Sequence, residues 1–129
     1  MSEKFTIEII APDKTILKTD AHEVTIPSFE GEMGILKDHI PLITFLRPGL
    51  IKIFNEVETT YFIEEGTVEF SDNKLLILTS TAIDLSKIDK KFMEALINKS
   101  ETKISKSSIS DKERYLLNHK IETLKSISW

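Results

Sequence analysis

The stretch Phe5-Thr6-Ile7-Glu8-Ile9 alternates apolar and polar residues, and short runs of this kind recur to about residue 83. A period of two is typical of a β-strand with one buried and one solvated face. Closely spaced turn residues leave no room for helical crossovers, so residues 1–84 are predicted to form an antiparallel β-sandwich or flattened barrel. The apolar run at residues 75–78 is expected to be covered on both faces. The other runs are Val24-Thr25-Ile26, Ile51-Lys52-Ile53, Tyr61-Phe62-Ile63 and Val68-Glu69-Phe70.

After Asp84 the apolar residues recur with the period of a helix. Ser86 stands three residues before Asp89, and Ser110 three before Glu113, and both pairs are typical of helix starts. Residues 102–110, rich in serine and threonine, are expected to connect the helices. Residues 85–129 are thus predicted to form an antiparallel two-helix hairpin, giving a mainly β fold with a helical C-terminal part. The predicted apolar faces are Ile88, Phe92, Ala95, Leu96 and Lys99, then Leu117, Ile121, Leu124 and Ile127 or Ser128.

Charge is divided unevenly between these two parts. Residues 1–84 hold seven basic and fifteen acidic side chains, whereas residues 85–129 hold ten basic and six acidic ones. The net charge of −4 argues against a nucleic-acid partner, which needs clustered Lys and Arg. A hairpin of about forty residues is too small to be stable alone, so it must pack on the sandwich or on another protein.

The reactive residues do not favour an enzyme. The chain has no cysteine, which excludes disulfides, thiolate metal sites and cysteine nucleophiles. The three histidines, His22, His39 and His119, lack metal-ligand spacing, and the glycines form no phosphate-binding fingerprint. No apolar run approaches the ~20 residues of a membrane span. We therefore expect a soluble protein without catalytic residues, metal, cofactor or membrane insertion.

Three motifs lie between residues 30 and 51: Glu30-Gly31-Glu32-Met33-Gly34-Ile35, Asp38-His39-Ile40-Pro41-Leu42-Ile43-Thr44 and Arg47-Pro48-Gly49-Leu50-Ile51. With residues 62–70 and 78–83, they closely resemble the epsilon subunit of bacterial F-type ATP synthase, and the resemblance covers essentially the whole chain. It implies a ten-stranded sandwich, gripped by the gamma subunit and resting on the c-subunit ring, in the rotating central stalk of a proton-translocating enzyme. That enzyme would lie on the cytoplasmic face of the bacterial plasma (inner) membrane.

The resemblance also implies contact residues on the sandwich. Gly31, Glu32, Gly34 and His39 are expected to face the c ring. The residues themselves leave a second interpretation open, in which His39 is a structural histidine hydrogen-bonded inside a compact loop. Glu32, in the same loop, is expected to be exposed, which suits contact with a protein better than catalysis.

In many members of this family the hairpin either folds against the sandwich or extends along gamma into the alpha/beta head and blocks ATP hydrolysis. Inhibition by this hairpin stays open. Some members bind ATP through a motif with Arg and Ala where this chain has Phe92 and Met93, so nucleotide binding is not expected and Asp89 is interpreted as a capping residue at the third helical position. The candidates for contact with an acidic segment of the beta subunit are Lys112, Arg114, Lys120 and Lys125.

Two other functions fit the composition and periodicity. One is a small-ligand sensor, with ATP as a candidate ligand, that uses the groove between sandwich and hairpin and reports through Trp129. The other is a generic β-sandwich adaptor unrelated to ATP synthase. Capture of a gamma subunit as the dominant partner would separate the main hypothesis from both.

Overall fold

The computed structural model describes residues 3–106 and 108–127, which form ten strands, a short 3-10 turn at Leu85–Lys87 and two α-helices. Ser128 and Trp129, to which the sequence assigned a helix face and a reporter role, lie outside the described residues. The helices are α1 (Lys90–Ile104) and α2 (Asp111–Ser126). The strands are β1 (Phe5–Ala11), β2 (Lys14–Ala21), β3 (Glu23–Ser28), β4 (Gly31–Leu36), β5 (Leu42–Leu46), β6 (Gly49–Phe54), β7 (Glu58–Ile63), β8 (Gly66–Ser71), β9 (Lys74–Thr79) and β10 (Ala82–Asp84).

The strands follow one hydrogen-bonded path, β10-β7-β6-β3-β5-β8-β9-β1-β2, with β4 paired to β3 beside it. Among the described strands the pairings are antiparallel except between β1 and β9, which run parallel. The prediction of a sandwich is confirmed, but its wholly antiparallel pairing is wrong at this one place. The reason is that the fold brings β1 beside β9. The chain between these two parallel strands consists of the other strands of the sheet rather than of a crossover helix.

The core lies between the inward faces of this sheet. On β1 the residues Phe5, Ile7 and Ile9 are buried, which confirms the alternation in the sequence. On β9, however, Leu78 is 46% exposed, so the prediction that residues 75–78 are covered on both faces is wrong. The strands that are covered on both faces are β3, which is buried from Val24 to Ser28, and the second half of β7. On β7, Tyr61 and Ile63 belong to the sandwich core, and Phe62 points the other way, under the hairpin.

The helix starts confirm one predicted cap and correct the other. Ser110 caps α2, because its Oγ accepts a hydrogen bond from the Glu113 amide at 3.1 Å. At α1 the cap is Asp89, whose Oδ1 accepts from the Phe92 amide at 2.7 Å, and not Ser86, which lies in the 3-10 turn. Asp89 is therefore the N-cap itself rather than the third helical residue.

The buried face of α1 also differs from the predicted one. Phe92 is 49% exposed, and Ala95 and Lys99 are exposed too, whereas Met93 is buried against Phe62 and Leu124. Ile88 and Leu96 of the predicted face do pack against this cluster, so the prediction is confirmed for these two residues and wrong for Phe92, Ala95 and Lys99. On α2 the predicted face is confirmed at Leu124. The helix α1 continues to Ile104, so the connection is shorter than residues 102–110.

Candidate functional site

Residues 31–36, predicted as part of a compact loop, form the strand β4. Gly31 has φ of 130°, a backbone conformation that favours glycine, and its carbonyl accepts a hydrogen bond from Ser28 Oγ at 2.6 Å. Glu32 is exposed, as predicted, and stands opposite Pro27 of β3. Gly34 lies on the same strand and is exposed. Three of the four residues expected at the c ring thus share one strand.

His39 lies past the other end of β4. The four steps along β4 from Glu32 to Leu36 span ~13 Å at the usual rise of a strand, so His39 is not brought together with Glu32. Its ring packs edge-on against Phe70 with centroids 5.9 Å apart, and its Nδ1 lies 2.7 Å from the Ile40 carbonyl oxygen. These contacts are compatible with the interpretation of His39 as a structural histidine, one of the two that the sequence left open.

Three of the four basic candidates on the hairpin make contacts inside the molecule. Arg114 donates from Nη1 to the Ile104 carbonyl at 2.9 Å and thereby satisfies the C-terminus of α1. Lys125 pairs with Glu101 across the two helices at 3.2 Å. Lys120 forms an ion pair with Glu64, directly after β7. Lys112 is exposed near Phe45 and Leu78. The docked hairpin therefore uses part of its positive charge to hold itself together and to the sandwich.

A polar cluster connects α2 to the sandwich near Glu32. Arg47 Nη1 lies 3.3 Å from the Tyr115 hydroxyl and 3.4 Å from Nε2 of His119. The Thr123 hydroxyl donates to the Pro48 carbonyl at 3.5 Å. Burial lowers the pKa of His119, and the positive charge of Arg47 lowers it further, although Glu122 opposes the shift. No local pattern in the sequence indicated this cluster, because its members lie far apart in the chain.

An apolar strip on the outer face of the sandwich was also missed. Ile43 and Phe45 on β5 are 80% and 65% exposed. The strand register places Phe45, Thr67, Leu78 and Ile10 in one row across β5, β8, β9 and β1. The row borders an open groove of about 650 Å³. The only signal in the sequence was that β5 is apolar on both of its faces, which by itself is equally consistent with a fully buried strand.

Reactive groups are dispersed in the part of the chain that the structure describes. There, no three His, Asp or Glu side chains are grouped so that they could hold a metal ion. In that same part of the chain, neither α1 nor α2 combines the length and the hydrophobicity that a membrane span requires. The carboxylate of Asp89 accepts the capping hydrogen bond from the Phe92 amide through Oδ1.

Together these features define a β-sandwich that carries a docked helical hairpin and presents an apolar face suited to a protein partner. The family model described as "ATP synthase, Delta/Epsilon chain, beta-sandwich domain" matches residues 4–85. The chain belongs to the epsilon chain family of ATP synthase, and it is a non-catalytic rotor subunit of the F-type enzyme. The resemblance on which the sequence analysis relied is thereby confirmed, and the generic adaptor is excluded.

Individual relatives support this assignment over the whole chain. The ATP synthase epsilon chain of Pelagibacter ubique is 48% identical over 130 residues, which cover 99% of this chain and all of the relative. That of Rickettsia bellii is 33% identical over 111 residues, 83% of this chain and 99% of the relative. Among solved structures, a chain of the Euglena gracilis mitochondrial ATP synthase, in an OSCP/F1/c-ring assembly, has a TM-score of 0.77 at 25% identity, covering 95% of this chain and 80% of its own.

Proposed function

We propose that the chain couples the c-subunit ring to the gamma subunit in the rotor of a proton-translocating F-type ATP synthase. Residues 1–84 would form the binding unit and residues 85–129 the regulatory unit. The enzyme would sit peripherally on the cytoplasmic face of the bacterial plasma (inner) membrane. Each of these partners would contact a different surface of the chain.

The apolar strip is the observation that supports contact with gamma. Two large side chains that are mostly exposed, Ile43 and Phe45, lie on one strand and continue into Leu78 two strands away. A contiguous exposed apolar patch typically marks a protein interface. Of the three partners, gamma is the one that the resemblance expects to grip the sandwich, and the strip crosses β5, β8 and β9 rather than lying at the end of a strand.

Substitution on this strip tests the contact. Phe45→Asp should abolish capture of purified gamma by the full chain, because a carboxylate would be buried in an apolar interface without a partner. Val57→Asp is the matched control, since Val57 is 74% exposed at the β6–β7 turn, outside the strip. Unchanged capture by Phe45→Asp, or equal loss in the control, would remove the strip from the interface.

Contact with the c ring is assigned to Gly31, Glu32, Gly34 and His39. The exposed carboxylate of Glu32 supports an electrostatic contact, whereas the packed ring of His39 fits a supporting role at the other end of β4. In reconstituted enzyme, Glu32→Gln should weaken the coupling of proton transport to ATP synthesis more than Glu58→Gln, a control on the exposed start of β7.

The hairpin would act on the alpha/beta head through Lys112, Arg114, Lys120 and Lys125 when it extends. Because Lys120 and Glu64 are paired in the docked state, extension must first break this contact. Truncation after Asp84 would raise ATP hydrolysis by the reconstituted head if the hairpin is a brake, and leave it unchanged if it is not. Calorimetry with millimolar ATP should show no saturable heat, because Asp89 caps α1 and no arginine follows at the Phe92 position.

A further inference from the structure

The docked hairpin meets the sandwich at a cluster that includes a titratable side chain. His119 lies in the middle of α2, with its ring 4.5 Å from that of Tyr115 and its Nε2 3.4 Å from Arg47 Nη1. Tyr115 in turn contacts Phe29 of the sandwich, with ring centroids 5.8 Å apart. Arg47 precedes β6, so this cluster joins two parts of the molecule that are separated by about 70 residues in sequence.

The contact between Arg47 and His119 requires a neutral imidazole. A guanidinium group has only donors, so Nε2 must accept the hydrogen bond and the ring proton must be on Nδ1. If the ring is protonated, Nε2 carries a hydrogen of its own and the acceptor is lost. The contact then becomes a repulsion between two cations in a partly buried groove.

Other charged groups reach the same groove from each neighbouring element. Lys52 lies on β6 and Glu32 on β4, and both line the groove with His119. Glu122 follows on α2, and Lys120 is already paired with Glu64. Burial and the charge of Arg47 lower the pKa of His119 in the docked state, and Glu122 reduces the shift without reversing it.

We propose that Arg47, Tyr115 and His119 form a proton-sensitive latch, which holds the hairpin on the sandwich while His119 is neutral and releases it when the ring is protonated. Undocking exposes His119, whose ordinary pKa is about 6.5. A group whose pKa is lower in the docked state stabilises docking above that ordinary value and loses its contribution as the pH falls through it. Acidification therefore favours the undocked hairpin.

The apolar contact between the hairpin and the sandwich is one cluster, separate from the sandwich core. Among the described residues, Phe62, Met93 and Leu124 are buried in it, and seven partly buried hydrophobic residues pack against them. The inference concerns the docked hairpin alone and does not depend on whether the hairpin brakes ATP hydrolysis or on which partner binds the sandwich. Its failure would leave the proposed rotor function untouched.

Fluorescence transfer in the full chain tests the latch. The chain contains no cysteine, so dyes can be placed on Val57→Cys and Lys106→Cys, which are exposed on the sandwich and on the connection between the helices. Between pH 8 and 5.5, above the usual range of carboxylate titration, the docked fraction should fall reversibly as the pH is lowered. In the background of His119→Gln, which keeps an acceptor for Arg47 but cannot titrate, this dependence should be lost.

The other two histidines supply the controls. His22→Gln and His39→Gln should leave the pH dependence intact. A pH-independent signal in the unmodified background, or a dependence that survives His119→Gln, would overturn the proposal. As a second measurement, NMR titration of His119 should give a higher pKa in Arg47→Gln than in the unmodified chain, and an unchanged or lower pKa would also overturn it.

Discussion

Replacing Leu124 by alanine should loosen the hairpin while leaving the sandwich intact. Leu124 is 1% exposed and packs with Phe62 and Met93 in a cluster separate from the sandwich core. Truncation of a buried leucine typically costs ~2–5 kcal/mol, through lost burial and the cavity that remains. We expect the low end, ~2 kcal/mol, because a cluster at the edge of the fold can collapse or admit water.

Native-state hydrogen exchange measures this cost segment by segment. At ~1.4 kcal/mol per factor of ten, a loss of ~2 kcal/mol increases opening of the hairpin about 30-fold. Amides of α2 should exchange faster by that factor, whereas amides of β1 and β9, which belong to the sandwich core, should change little. Both proteins are compared at one pH, so the intrinsic exchange rates cancel.

A leucine at an exposed position provides the matched control. Leu36 on β4 is half-exposed, and Leu36→Ala should alter the exchange of α2 within the ~0.5 kcal/mol typical of surface substitutions. Equal acceleration of the sandwich and the hairpin in Leu124→Ala would refute the reasoning, because the two clusters would then open as one unit. Unchanged exchange in α2 would show that Leu124 does not hold the hairpin down.

Three further substitutions test local features. Asp89→Ala should destabilise α1 by ~1 kcal/mol and Ser86→Ala should not, since of these two residues only Asp89 caps the helix. Equal effects of the two substitutions on the hydrogen exchange of α1 would contradict the assignment of the cap to Asp89. Gly31→Ala should lower the unfolding free energy by ~1–3 kcal/mol, because φ at this position is 130°, and Gly34→Ala should lower it by less. Urea unfolding measures both losses, and a larger loss in Gly34→Ala than in Gly31→Ala would contradict the backbone geometry of β4. Lys120→Met should reduce docking by up to ~1 kcal/mol, an effect that high salt should mimic in the unmodified chain.

Much of the architecture follows from local patterns in the chain. The two-residue turn of Asp72 and Asn73, both with positive φ, joins β8 and β9, and Asp and Asn are residue types that favour such turns. The change of period after Asp84 separated strands from helices, and Ser110 marked the start of α2. These features are decided by neighbours in sequence, which is why a single chain reveals them.

The candidate surfaces were predicted less completely. The sequence identified Glu32 as exposed but treated it and His39 as one loop, because it could not show that residues 31–36 extend as a strand. It also counted Lys120 as available to a partner, although the folded chain pairs it with Glu64. Contacts of this kind join residues that are distant in sequence, and periodicity carries no information about them.

The sequence by itself determined a sandwich of alternating strands, a helical hairpin and the family to which both belong. Only the tertiary structure decided which faces are covered: Met93 rather than Phe92 is the residue of α1 that is buried against Phe62, and Leu78 stays exposed on the sandwich. The contact between Arg47 and His119 is likewise visible only in the tertiary structure. The physical reason is that a repeat of two or 3.6 residues fixes which side chains share a face, whereas the element that covers the face is chosen by packing across the whole fold.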